Sequence, residues 1–261
     1  MGVIGGPSIP QNGLQCMLDL GNARGGVMGT TLADVSGMGF SNNRDFVGQS
    51  NLSFNAGQNE SNALLTYDRS INVPSTGLAG PASNSFEITS STGASFVIVM
   101  KSHSNDAKMA FQFYMGDGNG NDARGYFTHI TWSNGYCYFD TNGSTSSGST
   151  GGRVNTSQSY FVDEDWQMWT FTKNAGSSGS NTQTIYLDGT QVAQRTNAGA
   201  CPTLSSDVAT IGINDVYSGW DADLGIFMCY NRELSATEVM RIKNAIMGSS
   251  GNGHDGRYIE P

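Results

Sequence analysis

The sequence predicts an all-β protein, an antiparallel sandwich of two sheets with one short helix near its C-terminus. Among its 261 residues, 35 are Gly and only 6 are Pro. This balance suits many short strands joined by tight turns, because Gly readily adopts the positive φ that such turns require. Strand-like runs recur about every ten residues, as is typical of a sandwich. Only one segment has apolar residues at helical spacing.

The first half of the chain is predicted to hold five strands. They are residues 13–19, 45–47, 52–54, 85–89 and 94–101. Within the last of these, residues 95–100 read SFVIVM, a nearly unbroken apolar run. Such a run indicates a central strand that is buried on both faces.

The second half contains two hairpin signals. Asn134-Gly135 lies between the runs 125–131 and 136–140, and Asp188-Gly189 joins 184–187 to 191–195. Asn-Gly and Asp-Gly favour two-residue hairpin turns because both accept positive φ. Further strands are predicted at residues 109–115, 166–173, 209–213 and 224–231. The low-complexity stretch 142–153, NGSTSSGSTGGR, is predicted to be a flexible surface loop.

The helix begins at a capping box. Ser235 and Glu238 have the spacing in which the Ser hydroxyl and the Glu carboxylate each accept an unsatisfied backbone N–H at the helix start. Leu234, just before the box, can pack on the first apolar residue of the helix. The apolar stripe consists of Val239, Ile242 and Ile246. Gly248 is placed to end the helix.

Composition limits the class of partner. The net charge is -9 and no cluster of Lys and Arg is present, so nucleic-acid binding is not expected, because it needs clustered cations. No apolar run approaches the ~20 residues of a membrane span. The start of the chain has no basic region followed by an apolar one, so we expect no signal peptide and synthesis in the cytoplasm. The four cysteines have no metal-type spacing and are predicted to form no disulfide.

Five blocks, in order, resemble the laminin G-like branch of the concanavalin A-like superfamily. They are GLQCMLDLGN at 13–22, DVSG at 34–37, WQMWTF at 166–171, IYLDG at 185–189 and GIFMCYNRELSATE at 225–238. The first is similar to the opening strand of such domains in bacteriophage structural proteins. The resemblance implies a concanavalin A-like jelly roll over residues 13–247, with an extended arm at 1–12 and a tail at 248–261.

The resemblance also suggests three classes of function. The first is a non-enzymatic virion structural protein, a capsid decoration or fibre component on the virion surface. Its partners would be viral capsid or tail proteins and further copies of the same chain. The second is a lectin-like adhesin that binds cell-surface glycans. The third, an enzyme acting on glycans, ranks last because the glucanase pattern Glu-x-Asp-x-Glu, which places two carboxylates on one face of a strand, is missing. No catalytic residue is predicted.

A calcium ion is the one cofactor for which the sequence offers ligands. Asp117, Asn119, Asn121 and Asp122 lie within six residues that also contain two glycines. Oxygen ligands on a flexible loop suit Ca²⁺, and the resembled family often holds Ca²⁺ at one rim. The segment is not an EF-hand, because position twelve is Thr128. A solvated turn without metal is the alternative.

Aromatic residues near loops are candidates for sugar binding. Trp132, Tyr136, Tyr217 and Trp220 are the predicted ligand-binding residues, with Tyr138 near them in sequence. The face of a pyranose ring packs well on an aromatic ring. Packing in the core is the alternative for each of them, because most Trp and Tyr in a sandwich are at least half-buried.

Overall fold

The computed structural model describes residues 9–19, 27–28, 31–32, 46–48, 71–72, 78–105, 109–115, 124–142, 152–163, 165–176, 179–212 and 220–248. These contain sixteen strands, one short 3-10 turn (Ser83–Phe86) and one helix, α1 (Ala236–Ile246). The strands are β1 Leu14–Asp19, β2 Val27–Met28, β3 Thr31–Leu32, β4 Phe46–Gly48, β5 Ile71–Asn72, β6 Leu78–Ala82, β7 Ala94–Ser102, β8 Phe111–Tyr114, β9 Arg124–His129, β10 Tyr138–Thr141, β11 Arg153–Asn155, β12 Trp166–Lys173, β13 Asn181–Leu187, β14 Thr190–Ala198, β15 Val208–Ile211 and β16 Ala222–Tyr230.

The described strands form two sheets. The first has the order β1-β16-β7-β12-β13-β14, with β5 also pairing with β16. The second has the order β11-β10-β9-β8-β15-β6-β4-β3-β2. Every pairing among them is antiparallel. The predicted fold class, an antiparallel two-sheet sandwich with one C-terminal helix, is confirmed.

Aromatic side chains fill the space between the sheets. Phe96 from the first sheet packs on Phe111 and Tyr126 from the second, with ring centroids 4.8 and 5.1 Å apart. Phe171 contacts Phe111 and Phe139 in the same way. All five are fully buried, and each contributes on the order of 2–3 kcal/mol of hydrophobic stabilisation. The two sheets are therefore held by one continuous core.

Helix α1 gives the first sheet a second buried face. Val97, Val99 and Met168 point away from the inner core and belong to the same buried cluster as Val239 and Ile242 of the helix. Residues 94–100 of β7 are consequently buried on both faces. The prediction that 94–101 is a central strand is confirmed.

The capping box closes the helix start as predicted. The backbone N–H of Glu238 donates to the Ser235 hydroxyl at 3.3 Å, and the Ser235 N–H donates to the Glu238 carboxylate at 2.9 Å. Arg232 adds a bidentate ion pair to that carboxylate, with distances of 2.9 and 2.6 Å. Leu234 is buried in the cluster that contains Val239. A cap of this kind contributes about 1 kcal/mol.

The strand predicted at residues 85–89 is wrong. Ser83–Phe86 forms a 3-10 turn instead, and Glu87 follows it with a φ of 53°. The Ser85 hydroxyl donates to the carbonyl of Ala82 at 2.7 Å, a local bond that competes with strand pairing. Five strands are not among the predicted ones: β2, β3, β5, β6 and β11. Strand β6 contains a Gly-Pro pair, and β11 begins at the end of the predicted 142–153 loop. The strand predicted at 52–54 lies outside the described residues.

The described part of the N-terminal arm is attached to the body. The Tyr230 hydroxyl donates to the carbonyl of Pro10 at 3.1 Å, and Arg232 Nε donates to that of Asn12 at 2.7 Å. The chain therefore enters β1 from a fixed point. The four cysteines, Cys16, Cys137, Cys201 and Cys229, are all buried and have free thiols.

Candidate functional site

The candidate site is built on the loop that joins β9 to β10 at one end of the sandwich. A tight turn organises this loop: the N–H of Gly135 donates to the carbonyl of Trp132, and the N–H of Trp132 donates to that of Tyr136. Gly135 has a φ of +76°, and a side chain there would overlap Ser159, so only Gly fits. The turn thus holds Trp132 in a defined position at the rim.

Three rings meet beside this turn. His129 of β9 is the register partner of Tyr138 of β10, and their ring centroids are 6.2 Å apart. The Trp132 ring lies 4.4 Å from that of His129 and 6.5 Å from that of Tyr138, edge to face in both cases. His129 is buried, whereas Trp132 and Tyr138 are half-buried. The group is a rigid aromatic surface that is partly open to solvent.

Polar groups border the aromatic surface. The guanidinium of Arg153 lies over the Tyr138 ring at 5.1 Å from its centroid. Asn134 Nδ2 donates to the Tyr138 hydroxyl at 3.0 Å. Asn155 of β11 is the register partner of Tyr138 and is exposed. Amide and guanidinium groups beside an aromatic ring can bind the hydroxyl groups of a sugar while the ring contacts its apolar face.

A buried carboxylate fixes the arginine. Asp140 of β10 is fully buried. It accepts two hydrogen bonds from Arg153, at 2.6 and 2.7 Å, and one from Arg124 of β9 at 2.7 Å. Charge-assisted bidentate bonds of this length are among the strongest in proteins. The Arg153 guanidinium is therefore positioned before any ligand arrives.

A second set of contacts connects the loop to the first sheet. Within the first sheet, His103 Nε2, just after β7, lies 3.1 Å from Asp223 Oδ1 near the start of β16. Asn105 Nδ2 donates weakly to the carbonyl of Ser133 at 3.5 Å. The Trp220 indole N–H donates to the carbonyl of Ile130 at 3.1 Å. Both sheets thus contribute to the rim.

The predicted sugar-binding residues differ in how far they are exposed to solvent. Trp132 and Tyr136 are half-buried in the rim loop, where a ligand can reach them. Trp220 is only 3% exposed and its N–H is already bonded, so it supports the loop from beneath as part of the core. Tyr217 and the predicted calcium ligands, Asp117, Asn119, Asn121 and Asp122, lie outside the described residues. Those calcium ligands stay a prediction.

The sequence does not predict the polar half of the site. Arg153 stands at the end of the predicted 142–153 loop, and no sequence pattern pairs it with Asp140 or Arg124. Only the register of three neighbouring strands puts these residues side by side. The alternation of β10 was the available signal, because Tyr138 and Asp140 point to the same face of a strand.

The described residues hold no group of three or more His, Cys, Asp or Glu side chains arranged to bind a metal ion. No helix among them is both long and apolar enough to cross a membrane.

Two facing antiparallel sheets with one C-terminal helix define a jelly-roll β-sandwich domain. Residues 73–240 match the laminin G-type family of the concanavalin A-like lectin/glucanases superfamily. The chain belongs to this family. A comparison with curated proteins found no match.

Solved structures share the fold at low sequence identity. A mutant of Trypanosoma rangeli sialidase that displays trans-sialidase activity is 13% identical with a TM-score of 0.61, and the match covers 90% of this chain but 33% of that one. This chain therefore spans about a third of the sialidase. Domain 4 of AbnA, an extracellular arabinanase from Geobacillus stearothermophilus in complex with arabinotriose, is 13% identical with a TM-score of 0.59, covering 88% and 98% of the two chains. The binding domain of Paraclostridial Mosquitocidal Protein 1 is 14% identical with a TM-score of 0.59, covering 90% and 52%.

Proposed function

We propose that this domain is a non-catalytic carbohydrate-binding module whose site is the rim formed by Trp132, Tyr138, Asn134, Arg153 and Asn155. The observation that carries the proposal is the half-buried aromatic pair with positioned amide and guanidinium groups around it. Sugars are bound by this combination, because their rings have an apolar face and a polar edge.

The similar structures support a binding role. The arabinanase domain that covers almost the same length as this chain was solved with an arabinose trisaccharide, and the mosquitocidal-protein match is a binding domain. In the sialidase the similar part is about one third of the chain. All three matches are consistent with a domain that is one module of a larger protein.

A virion location is a second, finer proposal. Its support is the opening block at 13–22, which is similar to the opening strand of such domains in bacteriophage structural proteins and which contains β1, Leu14–Asp19. The bonds from Tyr230 of β16 to Pro10 and from Arg232, just after that strand, to Asn12 give the arm a fixed origin. From there it could reach capsid or tail proteins or another copy of the chain. The glycan-binding rim would then serve adhesion on the virion surface.

Glycan binding is tested by an array of neutral and acidic glycans followed by titration of the best ligand. Trp132→Ala and Tyr138→Ala are expected to weaken binding at least about tenfold each, equivalent to about 1.4 kcal/mol, without a change in fold by circular dichroism. Met240→Ala is the control, because Met240 is 39% exposed on helix α1, away from the rim. Equal affinity of all four proteins would refute the assignment of the site, and no binding to any glycan would refute the function.

The virion proposal needs a separate measurement. Co-sedimentation of the full chain with phage capsids, together with its mass in solution, tests capsid affinity and self-association. Binding to capsids without binding to glycans would reverse the order of the two proposals.

A further inference from the structure

Two reactive side chains meet at the opposite end of β12 from the rim. The Cys201 thiol donates to the carbonyl oxygen of Asn174 at 3.3 Å, and Lys173 Nζ donates to the same oxygen at 3.5 Å. Because both contact one atom, the sulfur and the nitrogen are separated by no more than about 7 Å. The side chain of Lys173 has a flexible four-carbon stem, so rotation about its bonds can change the distance from the amine to the sulfur.

Burial distinguishes Lys173 from the other described lysines, and Cys201 from the other cysteines. Lys173 follows Trp169 and Phe171 on the inner face of β12 and is fully buried. Cys201 is 5% exposed, whereas Cys16, Cys137 and Cys229 are 0% exposed. A small oxidant therefore reaches Cys201 more readily than any other thiol.

The surroundings prepare the amine to react. Burial lowers the pKa of Lys173 to about 8, although the nearby Cys201 and Glu233 oppose this shift. At pH 7 about a tenth of the side chain is then the neutral amine, compared with less than about one part in a thousand for an ordinary lysine. The neutral amine is the nucleophilic form.

We propose that Cys201 and Lys173 form a reversible sulfur–nitrogen cross-link when hydrogen peroxide oxidises the thiol. In the first step the thiol takes one oxygen from peroxide, giving a sulfenic acid and water, with sulfur oxidised and peroxide reduced by two electrons. In the second step the Lys173 amine attacks the sulfur. The S–N bond forms, the S–O bond breaks, and the hydroxyl leaves as water with one amine proton. A thiol reductant returns the thiol and the amine.

The cross-link would join two parts of the sandwich. Lys173 ends β12 of the first sheet, and Cys201 lies in the connection from β14 of the first sheet to β15 of the second. The bond would therefore fix the crossover between the sheets. The glycan site is built on β10, β11 and the loop before β10, all in the second sheet, and contains neither Lys173 nor Cys201.

The test is mass spectrometry of the folded chain after peroxide treatment. The expected product has lost two hydrogens, about 2 Da. Digestion should yield one joined peptide with residues 173 and 201, and dithiothreitol should separate it. Its rate of formation should rise severalfold between pH 7 and pH 8, as the amine loses its proton.

Variants make the outcome decisive. Cys137→Ser, at a fully buried thiol, should still cross-link, whereas Cys201→Ser and Lys173→Arg should not. If Lys173→Arg does not fold, the pH dependence and the peptide map of the native chain still test the proposal. Peroxide oxidation of Cys201 to its oxygen acids with residue 173 left free, or no reaction of Cys201, would overturn the proposal.

Discussion

Replacing Glu238 by glutamine should separate the ion pair of this residue from its capping bonds. The carboxylate accepts hydrogen bonds from Arg232 and from Ser235, and the Arg232 bonds are the largest cause that lowers its pKa from 4.5 to about 2. A glutamine oxygen can still accept the Ser235 N–H. The variant therefore removes the charge while keeping much of the cap.

The size of the effect follows from the pKa. A lowering from 4.5 to about 2 corresponds to an upper limit of about 3 kcal/mol. The Glu238 side chain is 26% exposed, so solvent screening reduces the expected loss in the free energy of unfolding to ~1–2 kcal/mol at pH 7. Because the folded-state pKa is the lower one, this stabilisation is complete above about pH 4.5 and is lost as the pH falls towards 2.

Urea unfolding of both proteins at pH 7, 4 and 2.5 measures this difference. It should be largest at pH 7 and should shrink steadily towards pH 2.5. Glu233→Gln is the matched control, because burial raises the pKa of Glu233 and its neutral form is favoured on folding, so no loss is expected. A difference that is the same at every pH would show that the charge of Glu238 contributes nothing.

Three further changes test the core. Asp140→Asn leaves Arg124 and Arg153 without their shared buried carboxylate. Urea titrations should show a free energy of unfolding lower by ~3–5 kcal/mol, and an unchanged value would contradict the role of this carboxylate. Gly93→Ala adds a side chain at a residue with a φ of +75°, where it would meet the backbone carbonyl of Lys173. The strain should cost ~1–3 kcal/mol and lower the melting temperature. Burial lowers the pKa of Lys173 from 10.5 to about 8. Between these pH values the unfolded chain holds a proton that the folded chain has lost, so the free energy of unfolding should rise from about pH 8 to 10.5. Lys173→Met should abolish this rise, and an unchanged slope would contradict the lowered pKa.

Local chemistry was readable from the sequence. The capping box at Ser235, the apolar stripe of α1 and the strand Trp166–Lys173, whose bounds match the prediction, are all confirmed. Each depends on residues within one or two turns or along one strand. The spacing of apolar and polar residues is enough to predict such elements, because it shows which face of a strand or helix is buried.

The tertiary structure decided what lies beside what. Trp220 is a core residue because its indole N–H meets the carbonyl of Ile130, 90 residues away in sequence. The Asp140–Arg153 pair depends on the register of β10 with β11, and Lys173 is near Cys201 only because the chain crosses between sheets after β14. Sequence spacing carries no record of such pairings. Strand register is set by the packing of the whole sandwich, so the elements were determined locally and the site was determined by how they assemble.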